Sequence, residues 1–293
     1  MIAQENTPAR VGLLELLRDG SQGAQFVVPA YQRNYTWKAN KEVKQLLDDI
    51  KVVLKGECTK HFIGILIYLE RSLNIYQRER SIIDGQQRLT TIFLILYAVK
   101  EILLSHEMNE EATLLENQYL VNQHVKTNKH KLKPLVSDDA VYQHIVNRDF
   151  DNILDKTSNV FLNFIYIKKT IEDLLVDFNI DEFLDAMNKL YLVCVPIGKD
   201  DYPQKIFESI NATGAKLTAS DLIRNYMLMP IDGEQQDIYY ERYWKTIEKL
   251  VDSDPKKLES FFRFFIMAKK LTVVNINVVY KSFISWYSEN KNL

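Results

Sequence analysis

The stretch Ile82–Leu104, IIDGQQRLTTIFLILYAVKEILL, decides how this chain is read. It begins as an apolar strand, passes through an acid, a glycine, two amides and an arginine, and continues as one of the most hydrophobic helices in the sequence. A helix start leaves backbone N–H groups unpaired and carries partial positive charge, so it attracts anions. Gly85 lets a ligand approach the backbone closely, and Arg88 offers a fork of donors suited to phosphate oxygens. Gln86 and Gln87 carry the donors and acceptors to hold a base, a ribose or a water, and the Asp84 carboxylate suits a divalent metal. The same spacing supports a plainer reading, in which Asp84 caps the helix and Gln87 reaches back to it. The residues alone leave both open.

Working outward, HFIGILIYLE and NIYQRERSIID read as two strands of a hairpin turning at 71–74, so that DGQQR follows the hairpin directly. Upstream, Leu13–Leu17 is compatible with a short helix, and FVVPAYQRNYTW starts as a strand and turns irregular at Pro29, which removes a ladder donor. From Asn40 the apolar period becomes helical, with Val43, Leu46, Leu47 and Ile50 on one face. Downstream, residues 105–190 are mostly helical, and YLVCVPI returns to a strand. The segment YPQKIFESINATGAKLTASDLIRNYML then reads as helix, turn and helix, with Gly214 in the turn and Thr218 and Asp221 at capping-box spacing. The fold expected is α+β: a core from residues 1–104, a helical insertion over 105–190, a return segment over 191–228 that completes the core, and a helical tail over 229–293.

Three further stretches could carry function. In YQRNYTW, Tyr31, Tyr35 and Trp37 are interleaved with Gln32 and Arg33 and followed by Lys38, a pattern that stacks bases and neutralises phosphates if it faces outward, and fills a core if it does not. In INATGAKLTASDLIRN, Asn211 and Asp221 are the polar groups placed to complete a nucleotide site, although helix capping explains Asp221 equally. NQHVKTNKHKLKP is rich in lysine without an acid, which reads as a solvated loop or as a DNA contact. The aromatic ESFFRFFIMAKK in the tail suggests either core or a partner-binding surface.

Composition narrows the classes. The formal charge of −2 gives no bulk pull on nucleic acid or membranes, so any DNA contact must come from a local patch. The start MIAQENTPARVG lacks the pattern of a secretory leader, and no apolar run is long enough for a membrane span, so no membrane partner is expected. Cys58 and Cys194 lie far apart without metal-ligand spacing, as in a reduced cytoplasmic protein. There is no GxxxxGK loop, no GxGxxG after a strand, no HExxH and no GxSxG.

The succession VPAYQRNYTW, HFIGILIY, IIDGQQRLTTIFLI and IFESINATGAKLTASDLIRN resembles the N-terminal domain of the GmrSD-type restriction endonucleases, over about residues 10–230. The DGQQR signature is intact at Asp84, Gly85, Gln86, Gln87 and Arg88, and the YQRxYxW element at Tyr31, Gln32, Arg33, Tyr35 and Trp37. The resemblance implies a ParB/sulfiredoxin-like mixed sheet core and a DGQQR site that binds and hydrolyses a nucleoside triphosphate with Mg²⁺. On that reading Asp84 holds the metal, Gln86, Gln87 and Arg88 join it in catalysis, and Gly85, Arg88, Arg33, Asn211 and Asp221 bind the nucleotide. It further implies bacterial defence against foreign, often modified, DNA; the DNA contacts expected, on the chemistry of the residues themselves, are Tyr31, Gln32, Arg33, Tyr35, Trp37 and Lys38. Family members typically carry an HNH-type nuclease domain, and this sequence has no such histidine cluster. Cleavage is therefore expected from a further C-terminal domain or another subunit. The alternative is a DNA-binding sensor without catalysis.

Overall fold

The computed structural model describes residues 7–18, 24–74, 77–123, 125, 129–198, 201–213, 217–231, 233–251 and 254–290, with backbone only at 210–213. Contacts divide the chain into two units, one of residues 1–28 with 34–201 and the other of 29–33 with 202–293.

The first unit runs β1 (Ala9–Gly12), α1 (Leu13–Arg18), β2 (Ala24–Val27), α2 (Lys44–Leu54), β3 (His61–Asn74), β4 (Gln77–Asp84), α3 (Gln86–Ser105), α4 (Asn109–Leu115), β5 (Leu132–Lys133), α5 (Val136–Val146), α6 (Asn159–Leu174), α7 (Ile180–Lys189) and β6 (Leu190–Ile197). The six strands form one mixed sheet in the order β1-β6-β3-β4-β2-β5, and the fold is α+β. Fifteen of the twenty residues of α3 are buried, including Leu89 and the run from Ile92 to Val99. An all-round apolar helix of this kind has to be enclosed, and α4 and α6 pack against it. Phe26 of β2 meets Phe93 of α3 edge to face, with ring centroids 6.4 Å apart. Val43, Leu46, Leu47 and Ile50 are all buried, as their spacing predicts. Among the described residues no helix is long and apolar enough to cross a membrane, and both cysteines are free.

The hairpin is longer than its sequence suggests. Residues 71–74, expected as the turn, continue β3, and the connection falls at 75–76, outside the described residues. Cross-strand charge explains the extension: Glu70 accepts from Arg78 Nη1 at 2.8 Å and Arg80 Nε at 2.7 Å, and Arg71 lies opposite Glu79. Two strands were not foreseen. β1 pairs antiparallel with β6, and the two-residue β5 pairs parallel with β2.

The second unit contains α8 (Pro203–Thr213), α9 (Ala219–Leu228), α10 (Gly233–Tyr239), α11 (Lys245–Leu250), α12 (Pro255–Lys270) and α13 (Val279–Asn290). Its core gathers Ile223, Tyr240, Trp244, Phe262, Ile266 and Phe283, with Ala30 and Tyr31. Of the segments expected, 105–190 and all of 1–104 except 29–33 lie in the first unit. The insertion helices share the core of the sheet, and of the segment 191–228 only β6 joins the sheet, while α8 and α9 group with the tail. The predicted capping box at Thr218 and Asp221 is present.

Replacing Phe93 by alanine leaves a cavity under the sheet. Urea unfolding is expected to show a loss of about 3–5 kcal/mol for Phe93→Ala.

Candidate nucleotide site at the start of α3

The strand β4 carries its chain out of the sheet at Asp84, and Gly85 turns it into α3. Gly85 adopts φ 94° and ψ 6° and is the N-cap of α3. A Cβ at Gly85 would stand 3.0 Å from the Ile65 carbonyl oxygen, so glycine serves both the left-handed conformation and the close packing on β3.

Arg88 faces β3 at a bulge. Relative to β6, β3 shifts register between Phe62 and Ile65, and Gly64 within the bulge has φ 112°. The Arg88 guanidinium lies on Gly64: a Cβ there would meet Nη2 at 2.6 Å and Cζ at 2.7 Å. Nη1 donates to the Ile65 carbonyl at 3.1 Å. Burial lowers the pKa of Arg88, while the negative charges of Asp84 and Asp49 act the other way. Burial likewise raises the Asp49 carboxyl, opposed by His61 and Arg88, and Asp49 Oδ1 lies 3.2 Å from His61 Nε2. The bulge thus gathers a half-buried guanidinium, two carboxylates and an imidazole. Asp49, His61 and Gly64 were not singled out by sequence as parts of this site. The only available signal was the glycine inside an apolar strand, which marks a bulge or a close approach.

Gln87 takes a different place from the one expected of it. Its Oε1 accepts from the backbone N–H of Thr36 at 2.8 Å and of Trp37 at 3.3 Å, and its Nε2 donates to the Asn34 carbonyl at 3.0 Å. The amide straps the 34–37 loop to α3. Gln86 is buried and engaged beside it. Tyr35 is also fixed from several sides: its hydroxyl lies 2.7 Å from Thr91 Oγ1 and accepts from Asn163 Nδ2 at 3.1 Å, its carbonyl accepts from Asn159 Nδ2 at 3.1 Å, and its N–H donates to Asp138 Oδ2 at 3.0 Å. Burial pushes the Tyr35 hydroxyl up to about 12.

Of the aromatic residues in this stretch, Tyr31 and Tyr35 are buried. Gln32 is buried, Arg33 and Trp37 are half-buried, and Lys38 is exposed, donating to Asn159 Oδ1 at 2.8 Å. Tyr31, Gln32 and Arg33 belong to the second unit. There Asp221 accepts from the Thr218 N–H at 3.1 Å and from Arg224 Nη2 at 3.0 Å, as a helix-capping residue. The side chain of Asn211 and the turn at Gly214 lie outside the described residues. In the lysine-rich stretch Lys129 and Lys133 are exposed, whereas Lys131 is buried, with Nζ donating to the Leu17 carbonyl at 2.6 Å and the Gln118 carbonyl at 2.7 Å. Lys126 lies outside the described residues.

The family described as GmrSD restriction endonuclease, N-terminal domain, matches residues 13–228, more than half of the chain. The chain belongs to this family. It is thus a restriction-system protein, and DNA is the substrate that the family implies. No curated protein matches the chain. The matched span contains the β4–α3 junction, the β3 bulge and the 34–37 loop.

Removing the Gln87 amide leaves three loop groups without a buried partner, at a cost of about 1–3 kcal/mol. Hydrogen exchange on Gln87→Ala is expected to show faster exchange at the Thr36 and Trp37 amides, with α3 itself still protected. A second expectation concerns pH. Burial raises the Asp138 carboxyl from 3.8 to about 6, with the Tyr35 N–H opposing. The folded state then holds this proton more tightly than the unfolded chain does, so its contribution is fully present below pH 3.8 and is lost as pH rises through about 6. Asp138→Asn keeps an acceptor for Tyr35 and removes the titration. Urea titrations across that window are expected to show the parent protein losing stability relative to Asp138→Asn.

Proposed function

We propose that the first unit binds a nucleoside triphosphate at the start of α3 and hydrolyses it with Mg²⁺, in support of cleavage of foreign, modified DNA by a nuclease domain or subunit. The observation that carries this reading is the Arg88 guanidinium, partly desolvated on a glycine bulge at a helix N-terminus. A desolvated guanidinium binds phosphate more strongly than an exposed one, and the helix start adds positive potential.

The donor set fits Mg²⁺ better than a transition metal. Among the described residues no three His, Cys, Asp or Glu side chains gather as a metal cluster. Mg²⁺ needs only one or two carboxylates and completes its shell with water and phosphate oxygens, and Asp84 would supply the carboxylate. When bound, the ion offsets phosphate charge and polarises the terminal phosphoryl group. Arg88 clamps phosphate oxygens, and the unpaired backbone N–H groups of the first turn of α3 add donors to them. Gln87 acts as a positioning residue, because its amide is spent on the 34–37 loop. Asp49 keeps His61 and Arg88 in place around the bulge.

A second reading, a DNA sensor without turnover, draws on the exposed cations Lys38, Lys129 and Lys133. Phosphate release measured with Mg²⁺, with and without DNA, across the four common triphosphates separates the two. Arg88→Ala is expected to reduce release by about 10²–10³-fold or more, with an unchanged circular dichroism spectrum. Turnover at the parent rate in Arg88→Ala overturns the assignment. Absence of turnover in the parent, with salt-dependent DNA affinity that survives Asp84→Ala, establishes the sensor instead.

A further inference from the structure

At the opposite end of α3 from the DGQQR residues, α4, the end of α6 and the start of α7 enclose a cleft of about 790 Å³. The twenty-residue length of α3 puts it about 30 Å from the helix start, so it is separate from the nucleotide site. Its floor includes Leu103 and Leu115, and its lips carry Leu114, 59% exposed, and Val176, 83% exposed. The charged residues lining it are Glu111, Glu172 and Asp181, with no lysine or arginine. Glu172 is paired along α6 with Lys168 at 3.1 Å. The last turn of α3 has no basic residue, so the negative end of its dipole adds to the acidic rim. Such a cleft repels phosphates and favours an apolar group with a cationic flank.

The chain carries the complement on its second unit. Leu258, Phe262 and Ile266 bury one face of α12. A second face presents Lys257, Phe261, Phe264 and Ala268, at the spacing of a single helical stripe. Phe264 is 62% exposed, and Leu271 at the helix end extends the stripe. Lys257 lies in it, Lys256 and Lys269 flank it, and Lys270 turns to the far side, where its Nζ donates to Ser285 Oγ at 3.2 Å; the one acid of the helix, Glu259, accepts from the Ala219 N–H at 3.2 Å. A helix facing water ordinarily carries polar groups there, and contiguous exposed aromatics mark a contact surface.

We propose that the α12 stripe of one copy docks in the α3–α4–α6–α7 cleft of a second copy. Phe261 and Phe264 enter between Leu114 and Val176, and the flanking lysines meet Glu111 and Asp181. The two patches differ, so the contact is heterologous: each copy offers a stripe to one neighbour and a cleft to another, and assembly proceeds head to tail. The inference does not depend on nucleotide turnover.

Sedimentation of the full 293-residue chain at concentrations up to about 100 µM, at low and high salt, tests it. Mass is expected to rise with concentration and to fall back with salt. Phe264→Asp closes the stripe and Leu114→Asp closes the cleft, both at exposed positions, and each variant alone is expected to be monomeric with a parental circular dichroism spectrum. Mixed in equal amounts they are expected to form a dimer that grows no further, since one variant keeps an intact cleft and the other an intact stripe. A parent protein that stays monomeric throughout overturns the proposal and leaves the cleft to a different basic, apolar partner. Folded variants whose mixture stays monomeric, or variants that associate as the parent does, also overturn it.

Discussion

The first unit depends on how the first turn of α3 is tied to its surroundings. Gln87 satisfies three backbone groups of the 34–37 loop, and Arg88 lies on the backbone of β3 where Gly64 leaves room. Both ties have one physical origin. Polar groups enclosed by a packed core must find partners inside it, and a helix as thoroughly buried as α3 leaves its polar first turn no other place to bond. The apolar body of α3 fixes where the turn sits, and the turn then fixes the loop and the bulge.

This arrangement gives the site its electrostatic character. Arg88 loses hydration against β3 and is compensated by the carboxylates of Asp84 and Asp49, the latter shared with His61. A cation held in this way is preorganised: in the proposed site an anion would meet a guanidinium already oriented and partly stripped of water, so less free energy would be spent on ordering it. The other end of the same helix has the opposite character, with an apolar cleft rimmed by Glu111 and Asp181. The two ends of one buried helix thus differ in charge, a guanidinium at one and carboxylates at the other.

Much of this was legible in the sequence for identifiable reasons. Val43, Leu46, Leu47 and Ile50 repeat at helical spacing because they share one buried face, and the Thr218–Asp221 spacing is the reach of a side chain to a backbone N–H one turn away. Strands β1 and β5 were not legible, since four and two residues carry no usable period and are extended because β6 and β2 offer them partners. The turn expected at 71–74 failed for a related reason: Arg71 looks like a loop residue until it is set opposite Glu79. Tyr31 and Tyr35 carried the same ambiguity, because aromatic residues serve interiors and binding faces alike.

The sequence by itself determined the polar DGQQR start of a deeply apolar helix, the family to which the chain belongs and the α+β class, since these rest on local spacing and on motifs read in order. Only the tertiary structure decided what the polar groups do. It assigned Gln87 to the loop, Lys131 to two interior carbonyls and Arg88 to a glycine bulge with Asp49 and His61 beside it. A hydrogen bond or an ion pair forms between groups brought within about 3 Å of each other, and which groups those are is set by the packing of distant segments.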